Sequence, residues 1–286
     1  MQANHTQPIL IKKASGEHEP FALDKLIRSL RNAGAEEAII QEIGQDIQNW
    51  IYDGISTHRI YALAFSMLRK KEKQAASRYR LKKGIMELGP TGYPFEHFIG
   101  QVMGTLGFTV EVGQVLPGQC VTHEVDVVAT RGNEQHFVEC KYGQSPDRIQ
   151  NVKVPLYIRS RVNDLISKRK ESAEYRDFSF HGWVVTNTRF TSDAINYGQC
   201  SGLHLLSWDY PLGNSLKDLI DRERIYPLTV LNSLTKSHKQ QLLNQNIVTC
   251  QQLQDNPGLL DPLALSEKKF QTVMHEIRQM LKPTKS

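Results

Sequence analysis

Asp126, Glu139 and Lys141 lie within HEVDVVATRGNEQHFVECKYGQS, residues 123–145, where two β-rich runs flank a Gly132-Asn133 pair. If that pair forms a two-residue hairpin turn, facing positions sum to 265. Asp126 then stands opposite Glu139, Val128 opposite Phe137, and Glu124 opposite Lys141. Side chains alternate along a strand, so Asp126, Glu139 and Lys141 share one face. Two carboxylates about 5 Å apart repel by roughly 3 kcal/mol at an effective dielectric near 20. Ordinary cross-strand pairs contribute only about 0.2–1 kcal/mol, so packing does not favour the choice. A proton, a nearby lysine or a divalent cation relieves the repulsion. Carboxylate oxygens suit Mg²⁺ or Mn²⁺, with water and a substrate phosphate completing the shell. Such a cation activates water for attack on phosphorus, and a lysine beside it steadies the phosphoryl oxygens. That is the minimum equipment of a phosphodiesterase. Without it, the same residues make a solvated hairpin face carrying a Glu–Lys pair.

The rest of the chain must position this hairpin. With 286 residues it can hold two or three domains, and 40% hydrophobic against 23% charged residues is the balance of a soluble protein. No run of about 18 apolar residues and no charged-then-apolar leader occurs, which predicts a cytoplasmic protein without a membrane span. Cys120, Cys140, Cys200 and Cys250 are scattered without a CxxC pair, arguing against a zinc knuckle or disulfide framework. The net charge of +5 decides little, but its distribution is informative. Between Arg148 and Lys170 the basic residues include Lys153, Arg159 and Arg161, against the single acid Asp164. A second basic run spans 69–83. Either run by itself reads equally well as a solvated helix face.

Three segments emerge. Residues 9–89 open with a hairpin-like stretch and turn helical. Leu23, Leu26, Ile27 and Leu30 mark one helix, with Gly34 as its stop. Ile39 to Ile51 mark a second, and Ser56 caps a third lined by Ile60, Leu63, Ala64, Met67 and Leu68. A fourth runs through the basic stretch to about Leu88, and GPTGYP at 89–94 reads as a linker. Residues 95–210 alternate helix and strand. The order is a helix in FEHFIGQVMGTLGF, a strand in TVEVGQV, the hairpin, a helix over 153–172, a strand at 182–187, a helix from Thr191 and a strand in LHLLSW. Residues 211–226 read as a polar connector. The remainder is helical, with a turn at Asn246 and a cap at Ser266.

HEVDVVA followed by HFVECKY resembles the Asp…Glu-x-Lys core of the PD-(D/E)XK nucleases, especially the Mrr-type restriction endonuclease-like group. Glu96 matches the acidic residue of that family's first helix, and WVVTNTRFTSDAINYGQCSGLHLLSWD its later strand–helix–strand unit. The resemblance spans most of 92–210. It implies that Asp126 and Glu139 bind metal, that Lys141 is catalytic and that Glu96 assists. It also implies cleavage leaving 5′-phosphate and 3′-hydroxyl ends. Gln144 and Tyr157 become site neighbours and His123 a structural hydrogen-bonding residue, with Glu124 a partner for Lys141 or another base. The basic helix after the hairpin gains meaning as a cradle for the nucleic-acid backbone, with Lys153, Arg159 and Arg161 as contacts.

Residues 9–89 resemble the ATP-cone, a regulatory nucleotide-binding domain of ribonucleotide reductases and their repressor. The match rests on IKK at 11–13, EPFALDKLIRSL at 19–30, IYDGISTHRIYALA at 51–64 and RYRLKKGI. It implies that Lys12, Lys13 and Lys25 meet the phosphates of ATP or dATP and that Glu19 and Thr57 help hold the nucleotide. KKASG replaces the family's basic-Asp-Gly turn, and the chain has no P-loop. The C-terminal LLNQNIVTCQQL and LDPLALSEKKFQTV loosely resemble tandem helix-hairpin-helix DNA-binding units, without their usual glycines. A helical dimerisation or docking domain, or a simple stabilising cap, is the other reading of this segment.

The expected architecture is therefore multidomain, α plus α/β. An ATP-cone occupies 1–90, a restriction-endonuclease-like mixed sheet flanked by helices 91–212, and a connector with a small helical domain 213–286. The expected function is a nucleotide-regulated, magnesium-dependent DNA endonuclease, a homo-oligomer acting in defence or in processing of DNA intermediates. The alternative is a non-catalytic, adenine-nucleotide-responsive DNA-binding regulator. An RNA substrate ranks lower, because no aromatic stacking platform stands out.

Overall fold

The computed structural model describes residues 8–13, 16–33, 35–72, 75–76, 79–145 and 147–282. The described residues divide into two compact units, one up to Leu81 together with Lys282, the other from Lys82 to Leu281. In the first, strands β1 (Leu10–Lys12) and β2 (His18–Pro20) form an antiparallel hairpin with Ile11 facing Glu19. Helices α1 (Leu23–Asn32), α2 (Glu37–Trp50) and α3 (Thr57–Lys71) follow. Their apolar stripes meet in one core of Leu26, Leu30, Ile40, Ile43, Ile47, Ile60, Ala64 and Leu68. The Ser56 side chain accepts the Arg59 N–H and starts α3, as its residue type predicts. The predicted stop at Gly34, and the Ala14-Ser15 pair of the KKASG turn, lie outside the described residues. So do Lys73, Gln74, Ser77 and Arg78 of the fourth predicted helix, whose last part is α4 (Leu81–Met86).

The second unit is built around a mixed sheet. Helix α5 (Tyr93–Thr105) leads into β3 (Thr109–Pro117), β4 (Thr122–Arg131) and β5 (Glu134–Lys141). Then come a short strand β6 (Ile149–Gln150), helix α6 (Lys153–Arg169), β7 (Ser179–Thr186), a short β8 (Arg189–Phe190), α7 (Ser192–Ser201) and β9 (Leu203–Leu206). The sheet order is β3-β4-β5-β7-β9, antiparallel through β5 and parallel from β5 to β9, while β6 and β8 pair separately. Parallel neighbours need crossovers, and α6 and α7 supply them. Ile158, Val162 and Leu165 of α6 and Ala194 of α7 pack on Val128, Phe137, Val184, Leu203 and Leu205 of the sheet. Helix α5 buries Phe95, Phe98, Ile99 and Val102 and packs against β3 and β4.

The stretch read from sequence as a polar connector instead contains a helix, α8 (Leu216–Glu223). Ser215 and Asp218 close a reciprocal capping box, and Leu216, Leu219 and Ile220 bury one face. Helices α9 (Lys236–Leu243), α10 (Cys250–Asp255) and α11 (Glu267–Leu281) complete the unit. Asn246 turns the chain at φ 60°, and the Ser266 hydroxyl accepts the Lys269 N–H at the start of α11. The Glu276 carboxylate of α11 accepts the backbone N–H groups of Asn232 and Ser233, both at 2.8 Å. Among the described residues no helix is long and apolar enough to cross a membrane.

Close approach of α6 to the sheet depends on Gly182. A Cβ there would come within 2.6 Å of Leu203 Cδ2 and 2.9 Å of Val162 Cγ2. Gly182→Ala is expected to destabilise the protein by about 1–3 kcal/mol through overpacking. Gly104→Ala, with nothing within 4 Å, should leave stability equal or slightly raised. Urea midpoints of the two variants check this.

Candidate active site

The β4–β5 hairpin has the register that its turn dictates. Pairs run from Arg131↔Glu134 to Val127↔Val138, closed by Gly132-Asn133 with Gly132 at φ 55°. A positive φ at the first central position suits glycine in the tight turns that join twisted strands. Asp126 and Glu139 are the next facing positions, and the ladder opens there. The Asp126 carboxylate reaches across, and its Oδ2 accepts the Cys140 N–H at 2.6 Å. Among the described residues this is the only hydrogen bond recorded to that carboxylate. Burial pushes the Asp126 carboxyl up to about 7, and the Glu139 charge adds to the rise against the Cys140 amide.

Glu139 is only 6% exposed, yet it does not stand alone. Lys141 Nζ lies 2.5 Å from Oε1 and Arg161 Nη1 2.5 Å from Oε2, so each carboxylate oxygen has its own cation. A buried charge is tolerable only when paired in this way. Arg161 also donates to the Glu124 carbonyl at 3.3 Å. The Tyr157 ring lies beside both cations, its centroid 5.8 Å from Lys141 Nζ and 5.9 Å from the Arg161 guanidinium carbon. Burial alone would lower the Lys141 ammonium, but contact with Glu139 and then Tyr157 outweighs it and holds the group above its ordinary value. Glu96, in the first turn of α5, is half-buried, and its carboxyl is raised by burial and then by the charges of Glu124 and Glu139.

The site thus gathers Asp126, Glu139 and Lys141, with Glu96 electrostatically coupled to them. The Arg161–Glu139 pair was not foreseen: in the sequence Arg161 is one more base on a basic helix. Lys153 and Arg159 sit on the same helix, Lys153 exposed and Arg159 partly so, and neither joins this cluster. Gln144 turns to the linker, donating to the Pro90 carbonyl at 2.7 Å. His123 is structural. Its Nε2 lies 2.8 Å from Asp164 Oδ2, and Asp164 also accepts the amides of Cys120 and Val121 at 2.9 and 3.3 Å. Burial opposes it, but these bonds, His123's first, hold the Asp164 carboxyl down at about 2. Asp164 therefore fastens α6 to the β3–β4 loop one turn after Arg161.

The donor set fits a hard divalent cation. Asp126 and Glu139 offer carboxylate oxygens from facing strands, and burial followed by the Glu139 charge raises the Asp126 carboxyl even with Lys141 nearby. Among the described residues no three His, Cys, Asp or Glu side chains form a metal cage by themselves. A cation here would therefore rely on water and substrate oxygens.

In the first unit the residues singled out for nucleotide also cluster. Glu19 Oε2 lies 2.9 Å from Lys13 Nζ and 3.6 Å from Lys25 Nζ, contacts that hold its carboxyl below the ordinary range. The Lys12 N–H donates to the Ile55 carbonyl at 2.9 Å, and Lys12 bridges to Ser56, which precedes Thr57.

The family model described as Restriction endonuclease matches residues 90–210, and that described as AF1548-like, C-terminal matches residues 226–281. An uncharacterized protein of Archaeoglobus fulgidus is 29% identical over 180 residues, 61% of this chain and 95% of its own length. The crystal structure of a protein of unknown function, AF1548, has a TM-score of 0.54 at 28% identity, covering 67% of this chain and 98% of that one. Glu96, Asp126, Glu139, Lys141 and Arg161 all fall inside the restriction-endonuclease-like region.

The raised Asp126 carboxyl has a consequence for stability. Between about pH 4 and 7 the folded protein holds a proton that the unfolded chain releases, so stability falls as pH rises through that window. Asp126→Asn keeps an acceptor for the Cys140 amide but has no charge to repel Glu139. In a chelator, the variant should gain on wild type as pH rises and level off above about 7, by on the order of 2 kcal/mol. Urea midpoints at about pH 5 and about pH 8 measure the difference.

Proposed function

We propose that the second unit is a divalent-metal-dependent DNA endonuclease that hydrolyses phosphodiester bonds. The observation that carries this reading is the gathering of Asp126 and Glu139, just past the last β4–β5 ladder pair, with Lys141 on Glu139, within a region matching a restriction endonuclease family. Asp126 and Glu139 would hold Mg²⁺ or Mn²⁺, which when bound lowers the pKa of a water and offsets charge developing on phosphate. Lys141, steadied by Glu139 and Tyr157, aims an ammonium at the phosphoryl oxygens. Glu96 orients water at the edge of the site. Lys153 and Arg159, outside the catalytic cluster on α6, take the DNA backbone, giving affinity that falls with salt.

The first unit is the nucleotide-binding regulatory part in this reading. Neither matched region reaches residues 1–89, so the ATP-cone assignment rests on the residues themselves. Lys12, Lys13 and Lys25 would take the phosphates of ATP or dATP, with Glu19 holding two of the lysines in place and Thr57 at a helix start. The C-terminal helices serve DNA binding, and the protein works as a homo-oligomer in the cytoplasm, its two sites cutting both strands of a duplex.

Plasmid cleavage with Mg²⁺ or Mn²⁺ tests the proposal. Asp126→Ala and Lys141→Ala should each lower cutting about 100-fold or more. ATP or dATP should change the wild-type rate, and Lys13→Glu should remove that response while leaving nucleotide-free cutting intact. Undiminished cutting by Asp126→Ala would place the chemistry elsewhere. No cutting by wild type on methylated, unmethylated and branched DNA would favour the DNA-binding regulator.

A further inference from the structure

Both oxygens of Glu139 are already taken. Lys141 holds Oε1 and Arg161 holds Oε2, and the carboxylate is buried between them. A divalent cation that uses Glu139 would stand within a few ångströms of one of these cations and compete with it for the same oxygen. Lys141 is two residues away on the same strand, so its short tether keeps it beside Glu139. Arg161 comes from another element, α6, and its side chain is 30% exposed. It is the partner that can leave, and its remaining contacts, the Glu124 carbonyl and the Tyr157 ring, mark a path toward the open side of the site.

We infer that Arg161 is an exchangeable counter-ion of the site, resting on Glu139 and competing with the divalent cation for it. On displacement it becomes a ligand of the substrate phosphate. This rests on the nuclease reading above. Guanidinium suits both roles, because its fork of donors matches carboxylate and phosphate alike. The exchange couples the two ligands. A cation on Glu139 frees Arg161 for phosphate, and a phosphate holding Arg161 leaves Glu139 open to the cation, so each tightens the other by the same factor. Arg161 is thus a substrate-binding residue whose effect is read in binding as well as in rate.

The test is Mn²⁺ binding to the full chain, followed by electron paramagnetic resonance or calorimetry. Wild type, Arg161→Ala, Arg161→Lys, Arg159→Ala and Asp126→Ala are compared, with thermal melting to confirm folding. Removing the competitor should tighten Mn²⁺ binding more than 5-fold in Arg161→Ala. Arg161→Lys should stay near wild type, and so should Arg159→Ala, which removes the same charge from the same helix without touching Glu139. Equal or weaker Mn²⁺ binding in Arg161→Ala, with wild type binding normally, overturns the inference and leaves the metal-site reading intact. Absence of Mn²⁺ binding in wild type and Arg161→Ala overturns both. A second arm follows fluorescence anisotropy of a labelled duplex with Ca²⁺ present or absent. Wild type should gain affinity with Ca²⁺ at least 5-fold and Arg161→Ala should lose that gain. An equal gain in both shows that Arg161 does not pass to phosphate and overturns the exchange.

Discussion

The second unit is organised around one unfavourable interaction, the confrontation of Asp126 and Glu139 across neighbouring strands. Each response to it is visible in the structure. Glu139 is neutralised from both sides, by Lys141 and Arg161. Among the described residues Asp126 accepts only the Cys140 amide, and burial first, then the Glu139 charge, raises its carboxyl to about 7. The pair is therefore asymmetric, with one carboxylate held between two cations and the other carrying a raised carboxyl. An interior arranged only for stability would replace such a pair with apolar side chains, at no loss or a gain. In the proposed function a divalent cation would relieve the repulsion that the fold retains.

Keeping two like charges face to face demands a rigid frame. The two-residue turn at Gly132-Asn133 sets the register, and a slip of one residue would send Asp126 to the other face. The parallel pairing of β5 with β7 holds Glu139 beside Val184 and Lys141 beside Thr186. The cations need equal precision. Asp164, bound to His123 and two loop amides, anchors α6 one turn beyond Arg161, while Ile158, Val162 and Leu165 seat the helix on the sheet. The site joins a strand pair to a helix, and each surface is fixed by contacts outside the chemistry.

Much of this was legible in the sequence because it is local. The hairpin register follows from a turn dipeptide and alternation, and the helix starts at Ser56, Thr191 and Ser266 follow from capping chemistry. His123 was read as structural and bonds to Asp164. What escaped is long-range. Arg161 and Glu139 are 22 residues apart, and no spacing rule joins a helix position to a strand position across a connection. The Asp164 clasp spans up to 44 residues and was invisible for the same reason. Helix α8 was missed for another cause. Its Leu216, Leu219 and Ile220 stripe is short and diluted by charge, so a polar composition masked a periodic core face and its Ser215–Asp218 box.

The charge state of Asp126 decides whether a cation has a place between the two strands. A carbon-13 titration of the side-chain carboxyl, assigned by loss of its signal in Asp126→Asn, measures it directly. Without divalent cations the midpoint should lie near 7, and saturating Mg²⁺ should pull it well down toward or below the ordinary carboxylate range. A midpoint near 4, typical of an isolated aspartate, unmoved by Mg²⁺, would contradict both the strained pair and the cation that relieves it.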